Sequence, residues 1–585
     1  MKTEWDLERY FYKSIEDEQL QADLQLYMDK ADVCIEKYSG KIAELSDEEF
    51  LCFLEDIDAL NVDGEKVMVY LGLVSSMDTQ DQDVQKKISK ISKMLSKYSE
   101  KFLFIDEEYK LIGFRKFEYF SSLGIMAPFK NYLRNTGISI QYLLSEPEEK
   151  VVIKLANAYG TNLYEELVTS FKFNFRGENL TEDEIRTLRE SQDRSIRRDA
   201  FQALADMYLT TQNQIVLGTL YSLVCKDNVA DVELRKFDTV MSDRNMSEEL
   251  SDKTVDTLLN TVSSKFSLHH EFLGKKAKIL GYDKLENHDI YAPFPSDVEE
   301  PKFTFEEGWE LYKNTIEKVD PKLYEFSDDM VESGRISVHP KQNKSSGAYA
   351  QYTKNLSEFV LLNWANTVSD VSTLAHELGH AFHGSLSKEQ KSLVYHTPLT
   401  LAETASIFNE TLMFETILDK TEDKLTRKKL ICNRLDDIFG TIFRQVVYVL
   451  FERRCHESFK NNEPLTYEDY NNMWFEEMEK FIGPNVNLNK DLMKHGWSSI
   501  PHIFHTPFYC YTYAFGNIIS LNIYQKYKDS DNKEEFITKY HKLLESGGSD
   551  TPENLLNDIF GIKFDESFYN LAFTNIEELI KKLDE

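Results

Sequence analysis

Glycine and proline are scarce in this chain, at 23 and 13 of 585 residues. Both interrupt helices, so their shortage leaves few enforced stops. With long stretches of charged–apolar periodicity, it points to a mainly α class. Positive charge is also short: 68 Lys and Arg stand against 100 Asp and Glu, a formal charge of −32. No surplus of cations is available to replace phosphate counterions, which excludes nucleic acid as a partner. The acidity favours solubility and mildly attracts cationic peptides. The six cysteines, Cys34, Cys52, Cys225, Cys432, Cys455 and Cys510, are scattered without a C-x-x-C pair. That excludes a disulfide framework and suits free thiols in a reducing compartment. No apolar run reaches the roughly 18 residues of a spanning helix. The most apolar helix, 438–451, is interrupted by Arg444 and Gln445. The acidic start, Met1-Lys2-Thr3-Glu4-Trp5-Asp6, lacks the apolar core of a signal peptide. A cytoplasmic protein with no membrane partner is expected.

What is present is mostly amphipathic helix. A chain of this length can bury a large core and is expected to form two or more lobes. Leu20, Leu24, Tyr27, Met28 and Ala31 make one helical stripe; Val84, Ile88, Ile91, Leu95, Tyr98 and Phe102 make another with a polar back. Turn residues over 135–149 mark a joint. Phe171 to Phe175 alternates like a strand, with Arg176-Gly177-Glu178-Asn179 as its turn. Thr181 to Glu184 reads as a capping box opening the next helices. Residues 291–301, with Pro293, Pro295 and Pro301, form the clearest loop. Phe359 to Trp364 is a compact β-prone run whose main chain could hold an extended peptide, or which could only pack the core. No internal repeat is present.

The most informative five residues are His376-Glu377-Leu378-Gly379-His380. Val371, Leu374, Ala375, Leu378, Ala381 and Phe382 around them have helical spacing, with Ser369 a candidate cap and Asp370 in the first turn. Histidines four apart on a helix share a face and can chelate one ion. Glu377 comes off at another angle, unsuited as a ligand but able to reach a water as general base. A catalytic zinc site needs a third protein ligand and one open position. His383, at i+7 from His376, cannot easily complete a tetrahedron from the same straight helix and is expected to pack or support. The next helix, 398–418, starts at Thr397-Pro398 and puts Glu403 and Glu410 on one face. Spacing leaves Glu403 open between third ligand and half of a capping box with Thr400.

The box His376 to His383, followed by Glu403-Thr404-Ala405-Ser406, resembles the M3 metallopeptidases, the thimet-oligopeptidase-like family, most closely its oligoendopeptidase F branch. The segments 193–201, 289–293, 346–349 and 500–504 are similar to family segments as well. The resemblance covers most of the chain from about Phe114 onward. It implies that Glu403 completes a His-His-Glu site with His376 and His380. It also implies that a histidine and tyrosines from the C-terminal cluster donate to the oxyanion. His502 and Tyr513 match best, then Tyr509; an aromatic core helix is the competing reading of that cluster.

The implied architecture is mainly α and two-lobed, clam-like, with a small β-sheet beside the active-site helix and the metal deep in a cleft. The expected divisions are a helical region at 1–112, an oligoendopeptidase F-type N-terminal domain at 113–185 and a catalytic domain at 186–585. The expected activity is a metalloendopeptidase carrying one Zn²⁺ per chain and cutting short unstructured oligopeptides. Alternatives are a zinc carboxypeptidase of the same fold and a non-catalytic, metal-bearing peptide binder. The intact Glu377 argues against the binder, which has no chemical use for a base.

Overall fold

The computed structural model describes residues 1–145, 147–149, 151–152, 162–295 and 301–585. Helices dominate the element order, with only short strands between them. The chain forms two compact units, each built from three segments: Met1–Leu143, Glu300–Ile417 and Lys526–Lys563 in the first, and Leu144–Glu299, Leu418–Gln525 and Phe564–Glu585 in the second. No helix among the described residues is long and apolar enough to cross a membrane. All six cysteines are unpaired.

The first unit opens with helices Glu18–Tyr38, Asp47–Met77 and Gln82–Lys101, capped by Asp17, Ser46 and Asp81. Leu20, Leu24 and Ala31 of the first stripe and Val84 and Ile91 of the second are buried, as their spacing predicts. The joint over 135–149 holds a 3₁₀ turn at Ile140–Tyr142; Glu146 within it lies outside the described residues.

A three-stranded sheet supports the candidate site. We label its strands β1 (Ile336–Ser337), β2 (Tyr349–Gln351) and β3 (Phe359–Leu361), in the order β1-β3-β2. The run from Phe359 does form a strand, but not an edge. It pairs in parallel with β1 and antiparallel with β2, so its main chain is committed on both sides. The reason is the complete burial of Phe359, Val360 and Leu361, which favours a central position. Beside β1, the Val338 N–H donates to the Thr3 carbonyl and the Trp5 indole N–H to the carbonyls of Arg335 and Val360. Among the described residues the outer edge of β2 has no partner strand.

The second unit carries a hairpin, Phe173–Phe175 with Glu178–Leu180. Arg176 and Gly177 both have positive φ, the two-residue geometry that matches strand twist. Only Arg176 and Gly177 make the turn; Glu178 and Asn179 already belong to the return strand. The Thr181/Glu184 capping box forms and opens the helix Glu182–Leu188. The expected loop over 291–301 has no regular structure at 291–295, and 296–300 lie outside the described residues. Further along, a π turn at Phe439–Phe443 precedes the helix Arg444–Lys460.

Candidate metal centre

The HExxH helix spans Val368–Leu386. Its cap is Thr367 rather than Ser369: the Thr367 side chain accepts from the Asp370 N–H while Asp370 reaches back to the Thr367 N–H. Thr367 is extended, as a cap must be, and Ser369 already lies within the first turn. The helix packs on β2 and β3. Gly379 permits a second close approach, since a Cβ there would stand 2.6 Å from the Ala405 carbonyl oxygen and 2.7 Å from the Ser406 Cα. The residue just before the second histidine is therefore glycine, because the next helix touches its backbone.

That next helix is not continuous over 398–418. A short turn, Leu399–Ala402, ends at Glu403, and a new helix runs Thr404–Lys420. Thr400 Oγ1 is buried without a hydrogen-bond partner, so the capping box with Glu403 does not form. Glu403 turns toward the histidines instead. Its Oε2 lies 3.4 Å from His376 Nε2 and 3.3 Å from His380 Nε2. Ser406 Oγ donates to the same oxygen at 2.7 Å.

Among the described residues, His376, His380 and Glu403 are the group whose ligand atoms could hold a metal, all within 4.8 Å of one another. A tetrahedral zinc with bonds of 2.0–2.2 Å separates its ligand atoms by about 3.4 Å. The two Glu403 separations match that spacing, so the residues fit such an ion. His376 Nδ1 lies 3.1 Å from Glu410 Oε2, an arrangement that directs Nε2 toward the cluster and fixes the ring. His383 stays outside the cluster. It is buried, its ring bonds the Ala402 backbone, and burial above all pulls it down to about 4, leaving a neutral packing residue.

Charge in the centre is finely opposed. Burial disfavours a proton on His376, but the Glu410 hydrogen bond and the charges of Glu403, Glu410 and Glu377 outweigh it and lift the imidazole to about 8. Burial raises Glu403, yet the His380 hydrogen bond and both histidine charges bring it down to about 2. Glu377 is 6% exposed, and burial holds it above the usual carboxylate range. The Ala350 N–H of β2 donates to it, which ties the general-base candidate to the open-edged strand. Sequence reasoning placed Glu410 on the right face but gave it no role, and it missed Tyr352. Burial lifts the Tyr352 phenol to about 12, with Glu403 and Glu377 adding to the shift, so it borders the centre as a neutral donor. Its only signal was its place beside the family-like segment 346–349.

His502, Tyr509 and Tyr513 belong to the second unit, where they form one group. Tyr513 OH and His502 Nε2 are 3.4 Å apart, and the Tyr509 ring stacks parallel to His502 at 5.9 Å. Tyr511 is buried in the helix Tyr511–Asp529, whereas Tyr513 of that helix and Tyr509 in the turn before it are half-buried. The turn before them is held from below. Phe508 adopts φ 63°, unusual for a bulky residue, and its N–H donates to Oε1 of the fully buried Glu452 at 2.8 Å.

The sequence model of Peptidase family M3 matches residues 187–570. An oligoendopeptidase F homolog of Lactococcus lactis subsp. lactis is 27% identical over 609 residues, covering 100% of this chain and 97% of its own. Among solved structures, a Chlamydophila abortus crystal structure superposes with a TM-score of 0.84 at 23% identity, covering 99% of this chain and 98% of the other. The oligoendopeptidase-F structure from Enterococcus faecium gives 0.71 at 20% identity, covering 97% and 98%. Both structural likenesses speak to a shared fold.

Proposed function

The chain belongs to peptidase family M3, and from that premise we propose a zinc-dependent endopeptidase that hydrolyses internal bonds of short, unstructured oligopeptides. The observation that carries the metal assignment is the approach of Glu403 Oε2 to both histidine Nε2 atoms at 3.3 and 3.4 Å. His376, His380 and Glu403 would hold one Zn²⁺, which when bound supplies Lewis acidity toward water and the scissile carbonyl.

The remaining steps are the work of side chains. Glu377, raised by burial, accepts the proton of the attacking water and delivers it to the departing amine. The Ala350 N–H keeps that carboxylate in place. Glu410 orients His376. An extended peptide can pair with the open edge of β2, main chain to main chain, which favours unstructured substrates and little side-chain discrimination. Family resemblance supports His502, Tyr513 and Tyr509 as donors to the oxyanion, each typically worth roughly 3 kcal/mol of barrier. Six unpaired cysteines support a reducing, cytoplasmic setting.

Quenched-fluorescent peptides blocked at both ends, assayed with and without chelator, test this reading. Internal cleavage that chelator abolishes and about one equivalent of zinc restores is the expected result. Cleavage only of peptides with a free terminus would replace endopeptidase by exopeptidase. No cleavage of any peptide by the zinc-loaded protein would leave only a binder.

A further inference from the structure

A cluster of cations lies within the second unit, apart from the residues assigned above. Arg186 stands near the end of the helix Glu182–Leu188, and Arg189 is its C-terminal cap. Arg444 begins a helix directly after the π turn Phe439–Phe443. Both groups face Tyr291. The Arg189 guanidinium lies over its ring, 4.7 Å from the centroid, and Arg444 Nη1 donates to its hydroxyl at 3.3 Å.

The neighbouring charges are mostly spoken for. Arg186 is paired with Glu182, and Lys276 donates to Asp436 at 2.7 Å. Asp436 and Glu190 influence Arg444 and Arg189 from further away. Among the described residues neither Arg189 nor Arg444 has a carboxylate at ion-pair distance. The Nε of each is buried and has no acceptor.

A purely structural role, cations packed on aromatic rings, accounts for part of this. Such stacking contributes roughly 0.5–2 kcal/mol, but it satisfies no N–H donor. Leaving charged donors without acceptors costs as much or more, and two like charges beside one phenol repel. A planar anion removes both penalties, because a carboxylate matches the fork of a guanidinium. Two further features suit a built site. π turns occur frequently at functional positions. Gly440 in this one leaves room for the Arg444 fork, since a Cβ would stand 3.1 Å from its Nη2. Tyr448 is the foremost electrostatic neighbour of Arg444, and burial keeps its phenol protonated and able to donate. Burial alone would raise Tyr291, yet the charges of Arg444, Arg189 and Arg186 bring it below its ordinary value, a measure of how positive the locality is. In a chain of formal charge −32, such a locality stands out.

We propose that Arg189 and Arg444, with the hydroxyls of Tyr291 and Tyr448, form a binding site for a carboxylate carried by the peptide, either its C-terminal group or an Asp or Glu side chain. Identifying the bearer as a peptide rests on the peptidase reading; the anion site itself rests on this cluster.

The test is calorimetric titration of the Glu377→Gln protein, which leaves peptides intact. Three N-acetylated tetrapeptides differ only at the last residue: amidated Asn, Asn with a free carboxylate, and amidated Asp. One or both carboxylate peptides should bind about 10- to 100-fold tighter than the neutral one. Arg444→Gln and Arg189→Gln should each remove most of that advantage while leaving the neutral peptide unchanged. Whichever carboxylate peptide gains identifies the source. Arg189 makes no side-chain hydrogen bond to a described residue, so its variant serves if Arg444→Gln does not fold. Equal binding of all three, binding of none, or an advantage that survives both substitutions overturns the proposal. Hydrolysis by the unsubstituted enzyme is scored separately: its absence beside carboxylate-dependent binding defeats the peptidase reading alone.

Discussion

In one unit the charges of three carboxylates, Glu377, Glu403 and Glu410, act on His376; in the other, Arg189 and Arg444 contact the Tyr291 side chain and the charge of Arg186 adds to theirs. The first arrangement holds its histidines ready for a cation, lifting His376 to about 8. Three histidines of the second unit are treated in the opposite way. His269, His456 and His495 are buried, and burial first of all brings each down to about 3, so all three remain neutral packing groups. His269 stacks on Phe481 at 4.0 Å and His495 on Tyr208 at 5.4 Å. The lesson is that a histidine's role follows from its company. Where Glu403 and a second histidine converge on it, an imidazole is a candidate ligand; packed among rings it is core.

The sharpest way to break the comparison is within the acidic cluster. Glu377→Gln should lower kcat by roughly 10³-fold and keep the metal, because the role proposed for Glu377 is to accept a proton and not to bind the ion. Glu403→Ala should instead release the metal, read by elemental analysis after dialysis. Loss of zinc from the first variant and tight retention by the second would reverse the two roles.

Next in size is the proposed donor pair of the second unit, His502 and Tyr513. Tyr513→Phe should cost roughly 10²-fold in kcat with little change in KM, as expected for a donor that acts on developing charge. A change confined to KM would make the tyrosine a binding contact. Glu410→Gln follows, with metal affinity lower by about 10-fold or more, since the partner that orients His376 is weakened. Competition with a chromophoric chelator measures it, and unchanged affinity would reduce Glu410 to a bystander.

The smallest effect compares the units by acid. An unfolded histidine takes up a proton near pH 6.5, while His269, His456 and His495 resist until about 3. Their contribution is complete above pH 6.5 and is lost as pH falls toward 3, by up to about 1.4 kcal/mol per pH unit for each group. In the first unit burial holds His383 at about 4 and lowers His396 as well. Hydrogen exchange at pH 7 and pH 5, corrected for intrinsic rates, should show protection falling first around the second unit's three histidines. Earlier loss in the HExxH helix would contradict the assignment.

Much of this was legible from short-range pattern. Helical stripes such as Leu20–Leu24–Ala31 and the capping box at Thr181 depend on neighbours within a turn or two, and so does the pairing of His376 with His380. The choice between Thr367 and Ser369 as the cap was not, because both residue types cap well and only the backbone conformation at 367 decides.

The sequence by itself determined that two imidazoles share a helix face beside a glutamate and that a second acidic helical stretch follows. Each is a consequence of 3.6-residue periodicity, which acts over a few positions. Tertiary structure alone decided the rest. The break at Glu403, which turns its carboxylate to the histidines, sits beside the close approach of Ala405 and Ser406 to Gly379, a contact between two helices. The central position of β3, with β2 left as the open edge beside Glu377, came from which strands found one another. The meeting of Arg189, Tyr291 and Arg444, drawn from three distant stretches of chain, has no local signature at all. Spacing encodes direction along one element; convergence between elements is set by which buried faces fit, and no local period records it.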